Sequence, residues 1–353
     1  MNGHRSWPEL TTRLIHGQDL SVADAYWAMA QVMSGSTSPI QLAGFLTALA
    51  TKGETSDEIL GLANAMQANA EQINLDTDAL DIVGTGGDRF RTVNISTMAS
   101  LVIASGGVKV VKHGNRASSS ASGSADCFEA LGVDLNLSTT AVEKVFKELG
   151  ITFLFANKFH PSMKYAAQAR RELAVMTAFN VLGPLTNPAR PQAAAIGVSH
   201  ARLAPIVAEV LAMRKTRALV FRGENGLDEL SAVVPNQVWE VRLGEVTYSD
   251  VDAVKDLGFK KASIEDLRGG DPQFNAKVAN EIFDGARGPV RDAVVLNAAG
   301  AFVADGTVAG MRPEEGTLLQ RLANAVEYAE SLLDKGAPKD LLAQWVGLSH
   351  QLK

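Results

Sequence analysis

Two glycine-rich segments of this 353-residue sequence have the composition of phosphate-binding loops. GTGGD at 84–88 is followed by TVNIST at 92–97, and KHGNR at 112–116 is followed by SSSASGSAD at 118–126. Glycines let main-chain N–H groups approach an anion closely, and hydroxyl groups or a helix N-terminus then complete the cradle. We interpret both segments as candidate phosphate sites, against the alternatives of a tight strand-to-helix turn and a flexible surface loop.

An acidic pair, Asp228 and Glu229 in GLDELS, is the third candidate for chemistry. Adjacent carboxylates with a nearby hydroxyl suit a hard cation such as Mg²⁺. Acidic pairs also occur on solvated surfaces, and it is the position of this pair beside two phosphate loops that favours a metal site. A second GGD, at 269–271, precedes Pro272 and instead predicts that Asp271 caps a helix.

The sequence lacks the motifs that several other kinds of functional site require. GTGGD follows neither the Walker nor the dinucleotide spacing, and the sequence contains no HExxH or GxSxG motif. His113 and His160 are not at zinc-ligand spacing, and the single cysteine, Cys127, excludes an intrachain disulfide. The formal charge of −6 argues against a nucleic-acid partner. Nowhere do about eighteen uncharged apolar residues run together, so we expect no membrane partner and a cytoplasmic protein.

The elements that must position these residues change type along the chain. Residues 1–76 have apolar positions at three- and four-residue spacing, which predicts a small all-helical N-terminal domain. The expected helix caps are Ser21, Ser38 before Pro39, and Thr55 or Ser56. The segment 162–191 has no strand of its own, and we expect it to join this helical domain, with a hinge on either side.

Residues 77–353 alternate short apolar runs with helical segments, which predicts a large α/β domain whose mainly parallel sheet is flanked by helices. Helices are expected from about Met98 and Ala125. The strand runs lie at 79–83, 108–111, 151–155, 193–198, 218–221 and 293–297, with an antiparallel hairpin at 238–248. In open α/β sheets ligands bind outside the carboxyl ends of the strands. Both glycine-rich loops and the acidic pair follow predicted strands, so the sheet would bring them to one edge.

Six motifs together resemble the anthranilate phosphoribosyltransferases, and the resemblance covers nearly the whole chain. They occur in the family's order as GTGGD, TVNIST, KHGNR with SxSGSAD, HPSMKxAxxxRRE at 160–172, FNVLGPLTNPA at 179–189, and GLDELS at 226–231. The resemblance implies a nucleoside phosphorylase/phosphoribosyltransferase-like fold and a homodimer formed through the helical domains. It implies transfer of the 5-phosphoribosyl group of phosphoribosyl pyrophosphate (PRPP) to the amine of anthranilate, which gives N-(5-phosphoribosyl)anthranilate and pyrophosphate in tryptophan biosynthesis.

The same resemblance assigns residues to each ligand, although none as a general acid or base. For PRPP they are Gly84, Gly87, Asp88, Thr92, Asn94, Ser96, Thr97, Lys112, Asn115, Ser118, Ser119, Ser120 and Ser124. For anthranilate they are Gly84, Asn115 and Arg170, with His113, Ala156, His160 and Met163 near its path into the site, at the hinge. Mg²⁺, the implied cofactor, would be held by Ser96, Asp228 and Glu229, partly through the pyrophosphate.

Three places depart from the family pattern: Arg89-Phe90-Arg91 replaces a small polar run, Asn157 replaces a frequent Pro, and Ala174 replaces a frequent Gly. The two arginines either face the bound pyrophosphate and strengthen its capture, or point to solvent while Phe90 covers a neighbouring helix. Two other functions compete with the family's own. A pyrimidine nucleoside phosphorylase would bind a nucleoside and phosphate, and a non-catalytic relative would bind nucleic acid through a basic surface.

Overall fold

A computed structural model describes residues 5–117 and 121–353, and the chain folds into two compact units. The helical unit comprises the described part of Met1–Gln72 together with Ala156–Pro188. The α/β unit comprises Ile73–Phe155 and Ala189–Lys353. Each unit is therefore built from two separate stretches of the chain. No helix in the described ranges is long and apolar enough to cross a membrane.

The helical unit is built on well-capped helices. Ser21, Ser38 and Thr55 accept hydrogen bonds from the N–H groups three residues later, and all three form capping boxes, as their sequence context predicts. The second stretch returns to pack its longest helix, α9 (Lys164–Leu173), on α2 (Val22–Met33) and α3 (Pro39–Lys52). The helices of this unit are α1 (Trp7–Ile15), α2 (Val22–Met33), α3 (Pro39–Lys52), α4 (Ser56–Ala68), α8 (Ala156–Phe159), α9 (Lys164–Leu173) and α10 (Phe179–Leu182).

A seven-stranded sheet forms the centre of the α/β unit. The strands are β1 (Leu80–Gly84), β2 (Val110–Gly114), β3 (Ile151–Phe155), β4 (Ala193–Gly197), β5 (Arg217–Gly223), β6 (Asn236–Arg242) and β7 (Glu245–Val251). Their order in the sheet is β3-β2-β1-β4-β5-β6-β7. The first five strands in this order are parallel, and β6 and β7 are antiparallel, which confirms the predicted hairpin. The chain leaves β1 for β2 on one side and later inserts β4 on the other, so β1 and β4 form the topological switch point where such sheets bind ligands.

Helices surround this sheet, as predicted. Asp271 accepts a hydrogen bond from the Phe274 N–H and Pro272 is the first helical residue of α13, so the second GGD is a helix cap. The helices of this unit are α5 (Ile95–Ser105), α6 (Ser124–Ala130), α7 (Thr139–Leu149), α11 (Leu203–Met213), α12 (Ala253–Leu257), α13 (Pro272–Phe283), α14 (Pro289–Asp305), α15 (Leu318–Asp334) and α16 (Ala337–Gln351).

Two predictions about these elements were wrong. The run 293–297 is not a strand but the middle of α14, where every residue from Ala293 to Asp305 is buried. A helix that is apolar on all faces shows no 3.6-residue period, so a short stretch of it cannot be distinguished from a buried strand. Helix α5 begins at Ile95 and not near Met98, which places Ser96 in its first turn.

Candidate active site

A cavity in the α/β unit lies at the carboxyl ends of β1 and β2 and brings most of the predicted site residues together. Of these residues, it is lined by Gly84, Gly87, Asp88, Thr92, Asn94, Ser96, Asn115, Ser124, Asp228 and Glu229. Thr97 and Lys112 are wholly buried and do not line it, and Arg170 belongs to the helical unit. The predicted contacts Ser118, Ser119 and Ser120 lie outside the described residues.

Two paired glycines let the acidic loop lie directly over the strand ends. Gly84 of β1 pairs with Gly197 of β4, and Asp228 packs against both. A Cβ atom on Gly197 would stand 1.7 Å from the Asp228 main-chain oxygen, and one on Gly84 would stand 2.3 Å from Asp228 Oδ2. Position 197 therefore requires glycine, and a Cβ atom at position 84 would displace the Asp228 carboxylate. Gly197 was not among the predicted site residues, although a glycine that ends a strand signals close approach by another backbone.

The GTGGD loop is held by hydrogen bonds from both sides. Gly86 and Gly87 have φ values of 68° and 86°, in the left-handed region that glycine adopts without strain. The Gly86 N–H donates to Asp228 Oδ2 at 2.7 Å. On the other side, Ser199 Oγ donates to the Gly86 carbonyl oxygen at 2.8 Å, and the Ser199 N–H donates to Thr85 Oγ1 at 3.1 Å. Ser199, which was also not among the predicted site residues, thus fixes the loop from just beyond the end of β4.

The acidic pair is in a poorly solvated and negatively charged environment. Burial and the nearby Asp88 raise the pKa of Asp228 to about 8. Burial and the charge of Asp228 raise the pKa of Glu229 well above its usual value, while Lys112 opposes this shift. Carboxylates in such a place are stabilised by a cation.

This pair has the chemistry of a Mg²⁺ site that is completed by a ligand. Within residues 5–117 and 121–353, no group of three or more His, Cys, Asp and Glu side chains is arranged to hold a metal ion. Mg²⁺ is commonly bound by one or two carboxylates together with substrate phosphates. Asp228, Glu229 and the Ser96 hydroxyl, all lining the cavity, fit such a shared site.

Lys112 contacts the cavity through an intermediate hydroxyl. Its Nζ is fully buried and donates to the Ile82 carbonyl oxygen at 2.5 Å and to Ser96 Oγ at 3.1 Å. Burial lowers the pKa of Lys112, and the charges of Asp81 and Glu229 oppose that shift. The lysine therefore lies beneath the first turn of α5 and orients the Ser96 hydroxyl.

A segment near α13 positions Asn94, the residue before α5. The buried Asn275 amide donates to Asn94 Oδ1 at 2.8 Å, and the Asn94 amide donates to the Ser122 carbonyl oxygen at 3.1 Å. Thr92 forms an antiparallel bridge with Arg268, and the Val93 N–H donates to the Leu267 oxygen at 2.9 Å. The sequence offered no signal for Asn275, which stands inside an ordinary amphipathic helix.

The loop after β2 is closed at its base by Asp126. This carboxylate accepts hydrogen bonds from the N–H groups of Ala117 and Gly123, both at 2.9 Å. Arg116 lines the cavity, but its guanidinium pairs with Glu129 at 2.5 and 2.9 Å and with Asp126 at 3.0 Å. Its positive charge is thus largely offset by these neighbours.

The helical unit holds the other predicted anthranilate residue. Arg170 is exposed on α9, and its guanidinium stacks on the Phe179 ring at 5.0 Å from the centroid. Among the described residues it has no carboxylate partner. His160 is buried, with Nε2 at 2.9 Å from the Thr186 carbonyl oxygen, so the HPSMK and LGPLTNP motifs meet inside this unit. Ala156 and Met163, also predicted near the anthranilate path, lie at the start of α8 and just before α9.

Two family profiles match the chain, one over the N-terminal helices and one over most of the remaining residues. The helical-bundle domain of a glycosyl transferase family matches residues 8–70, and the a/b domain of the same glycosyl transferase family matches residues 76–339. The fold and the cavity therefore define a glycosyl transferase with a helical bundle and an α/β domain.

Individual relatives are more specific. An anthranilate phosphoribosyltransferase of Arthrobacter is 55% identical over 98% of this chain and 96% of its own length. The structure of the Thermus thermophilus anthranilate phosphoribosyltransferase covers 97% of this chain and 99% of its own, with a TM-score of 0.88 and 40% identity. That of the Saccharomyces cerevisiae enzyme, in complex with PRPP and Mg, covers 98% of each chain, with a TM-score of 0.85 and 26% identity. The chain belongs to the anthranilate phosphoribosyltransferase family.

Proposed function

We propose that this chain transfers the 5-phosphoribosyl group from PRPP to the amine of anthranilate and releases pyrophosphate. The observation that carries the proposal is the cavity at the β1 end, which combines the GTGGD loop, the first turn of α5 and the Asp228-Glu229 pair. A glycine loop and a helix N-terminus suit phosphate oxygens, and the acidic pair suits their cation. The yeast relative binds PRPP and Mg.

The PRPP site that we propose consists of the residues assigned to it by motif. Gly87, Asp88, Thr92, Asn94 and Ser96 line the part of the cavity where we propose that the pyrophosphate binds, and Asn115 and Ser124 add polar groups from the loop after β2 and the start of α6. Thr97 and Lys112 act from the layer beneath, Lys112 through the Ser96 hydroxyl. The proposed set also includes Gly84 and the undescribed serines 118–120.

Mg²⁺ is the proposed cofactor, bound by Asp228, Glu229 and Ser96 together with pyrophosphate oxygens. When bound, it would offset the negative charge that collects on the departing pyrophosphate. The chain's own residues would hold the donor in a fixed position, and this positioning, together with electrostatic stabilisation, would lower the activation barrier of phosphoribosyl transfer. The bond between ribose C1 and the pyrophosphate oxygen breaks, the anthranilate nitrogen forms the new bond to C1, and the amine releases one proton to the solvent.

We propose that Gly84, Asn115 and Arg170 bind anthranilate. Arg170 has a planar guanidinium without a carboxylate partner among the described residues, and such a fork can bind a carboxylate through two parallel hydrogen bonds. Its stacking on Phe179 limits the orientations that the guanidinium adopts. This arrangement favours an aromatic carboxylate over a nucleoside as the ligand of Arg170.

A fluorescence assay tests the function directly, because anthranilate is consumed only if the donor is used. Purified protein is incubated with anthranilate, with and without PRPP and Mg²⁺, and in parallel with thymidine and phosphate. Loss of anthranilate fluorescence that requires both PRPP and Mg²⁺ is the expected result. Release of thymine from thymidine would instead identify a pyrimidine nucleoside phosphorylase.

We further propose that the chain forms a homodimer through its helical unit and acts in the cytoplasm, with the helical unit and the α/β unit as its two domains. The helical unit exposes apolar side chains that a partner subunit could cover, notably Ile40, Ile15, Tyr165 and Tyr26, which are 85%, 69%, 43% and 40% exposed. Light scattering coupled to gel filtration gives the mass in solution. A mass near that of one chain would contradict the dimer.

A further inference from the structure

Arg89 and Arg91 adopt a backbone conformation that arginine rarely takes. Their φ values are 65° and 55°, in the left-handed region where a Cβ atom is crowded. The surrounding chain fixes both residues. Asp88 Oδ1 accepts a hydrogen bond from the Phe90 N–H at 3.1 Å, and the Arg91 carbonyl oxygen accepts one from the Gly269 N–H at 2.8 Å. Such strained residues persist where the neighbouring structure holds them, which is frequent at binding sites.

Both arginines, but not Phe90, line the active-site cavity. Each arginine is exposed, while Phe90 is half-buried between them. Among the described residues, neither arginine takes part in an ion pair. Two arginines without ion-pair partners among the described residues therefore belong to the cavity wall, and the ring between them does not.

Arg89 and Arg91 determine much of the net charge of the cavity wall. Its other charged lining residues are Asp88, Asp228, Glu229 and Arg116, and the charge of Arg116 is offset by Glu129 and Asp126. Without Arg89 and Arg91, a cavity that takes a polyanion would present three carboxylates and one neutralised arginine. Arg89 and Arg91 offset most of that negative charge at the cavity wall, which favours the entry of a polyanion.

We propose that Arg89 and Arg91 are binding residues for the phosphate groups of the donor, and that they capture it electrostatically. This proposal rests on the proposed function for the identity of the donor, PRPP. The chemistry that it invokes is recognition of a pyrophosphate-bearing anion by two guanidinium groups.

The test compares double variants with matched backbone preference and matched charge. Arg89→Asn with Arg91→Asn removes both charges, and asparagine tolerates left-handed φ, so the loop keeps its conformation. Arg89→Lys with Arg91→Lys keeps both charges. Lys144→Gln with Lys147→Gln removes two charges from the exposed face of α7, away from the cavity, as a control for net charge. The KM for PRPP and for anthranilate is measured from about 0.01 M to about 1 M ionic strength, over which screening shortens from about 30 Å to about 3 Å.

We expect the asparagine pair to raise the KM for PRPP roughly tenfold at low ionic strength and to flatten its salt dependence. The KM for anthranilate should change little. The lysine pair should keep the salt dependence of the wild type, and the α7 control should change neither quantity. A wild-type PRPP KM and salt dependence in the asparagine pair, or the same changes in the α7 control, would overturn the proposal.

A direct titration separates this proposal from the proposed function. Calorimetry of pyrophosphate binding in the presence of Mg²⁺ requires no acceptor and no turnover. Weaker binding by the asparagine pair than by the wild type supports the role of the arginines even if anthranilate is not the acceptor. Equal binding by both proteins refutes that role even if the wild type makes phosphoribosyl anthranilate.

Discussion

The Asp228 carboxylate accepts a hydrogen bond from the Gly86 N–H at 2.7 Å, and this bond joins the acidic loop after β5 to the glycine loop after β1. The two motifs are 142 residues apart in sequence. Their contact is possible because Gly84 and Gly197 leave no side chain between them. The proposed metal site and phosphate site are therefore one structure, and a change in either loop should affect both.

Replacing Gly197 with alanine should disrupt the contact between the acidic loop and the glycine loop. The new Cβ would overlap the Asp228 main-chain oxygen, so the acidic loop must move or the strand ends must separate. We expect a loss of stability of about 1–3 kcal/mol and a weaker response of activity to Mg²⁺. Thermal unfolding and Mg²⁺ titration measure the two effects. Gly347→Ala, where a Cβ meets nothing within 4 Å inside α16, is the control and should be neutral or stabilising.

Arg170→Ala should raise the KM for anthranilate much more than the KM for PRPP. Loss of a charged hydrogen-bonding partner corresponds to about 1.5–3 kcal/mol, or roughly a 10- to 150-fold change. Steady-state kinetics with each substrate varied in turn gives both constants. Arg171→Ala removes the same charge from the next exposed position of α9 and should change neither KM. Equal increases in the two KM values for Arg170→Ala would argue against a carboxylate partner.

Asn275→Ala should weaken PRPP binding although Asn275 is not among the residues lining the cavity. The substitution removes the hydrogen bond to Asn94 Oδ1 and leaves the Gly270 N–H without its acceptor. We expect these losses to lower the free energy of unfolding by about 1–3 kcal/mol. A higher KM for PRPP with a nearly unchanged KM for anthranilate is the result expected of a positioning residue. Asn324→Ala, which removes an exposed amide hydrogen bond, is the control. If Asn275→Ala lowers stability alone, the residue is structural only.

Ala174→Gly should stabilise the protein, because Ala174 ends α9 with φ at 48°, where glycine is preferred. Because glycine adopts the left-handed conformation without strain, we expect the substitution to raise the free energy of unfolding by about 1 kcal/mol. Ala167→Gly, on the exposed face of the same helix, should have the opposite sign by about 1 kcal/mol. Denaturant unfolding of the two variants checks the signs, and destabilisation by Ala174→Gly would contradict the assignment of strain.

The sequence predicts those parts of the fold that local chemistry determines. Capping residues at Ser21, Ser38 and Thr55 fixed the starts of three helices, and the apolar run 151–155 coincides with β3. The run 293–297 was misassigned because its burial within α14 comes from the packing of α5, α15 and the sheet around it. Such packing leaves no periodic signal in five residues.

The candidate site also has parts that the sequence predicts and parts that depend on tertiary contacts. The loops that carry glycines, hydroxyls and acids are visible as motifs, and their positions after strands predict that they meet. Gly197, Ser199 and Asn275 act through contacts with residues that are distant in sequence, so their role depends on the tertiary structure. The placement of Arg89 and Arg91 likewise depended on the backbone conformation of each residue and not on composition.

The most direct test of the proposed function is detection of N-(5-phosphoribosyl)anthranilate by mass spectrometry while Mg²⁺ is titrated. Wild-type protein is compared with Asp228→Asn plus Glu229→Gln, which removes the two carboxylates but keeps their size. Because burial raises the pKa of both groups, the neutral pair should unfold at the same temperature as the wild type or higher. We predict product that rises with Mg²⁺ in the wild type and no Mg²⁺-dependent product in the folded double variant. No product from the wild type would contradict the proposed function, and equal product with an equal Mg²⁺ titration in the two proteins would contradict the proposed metal site.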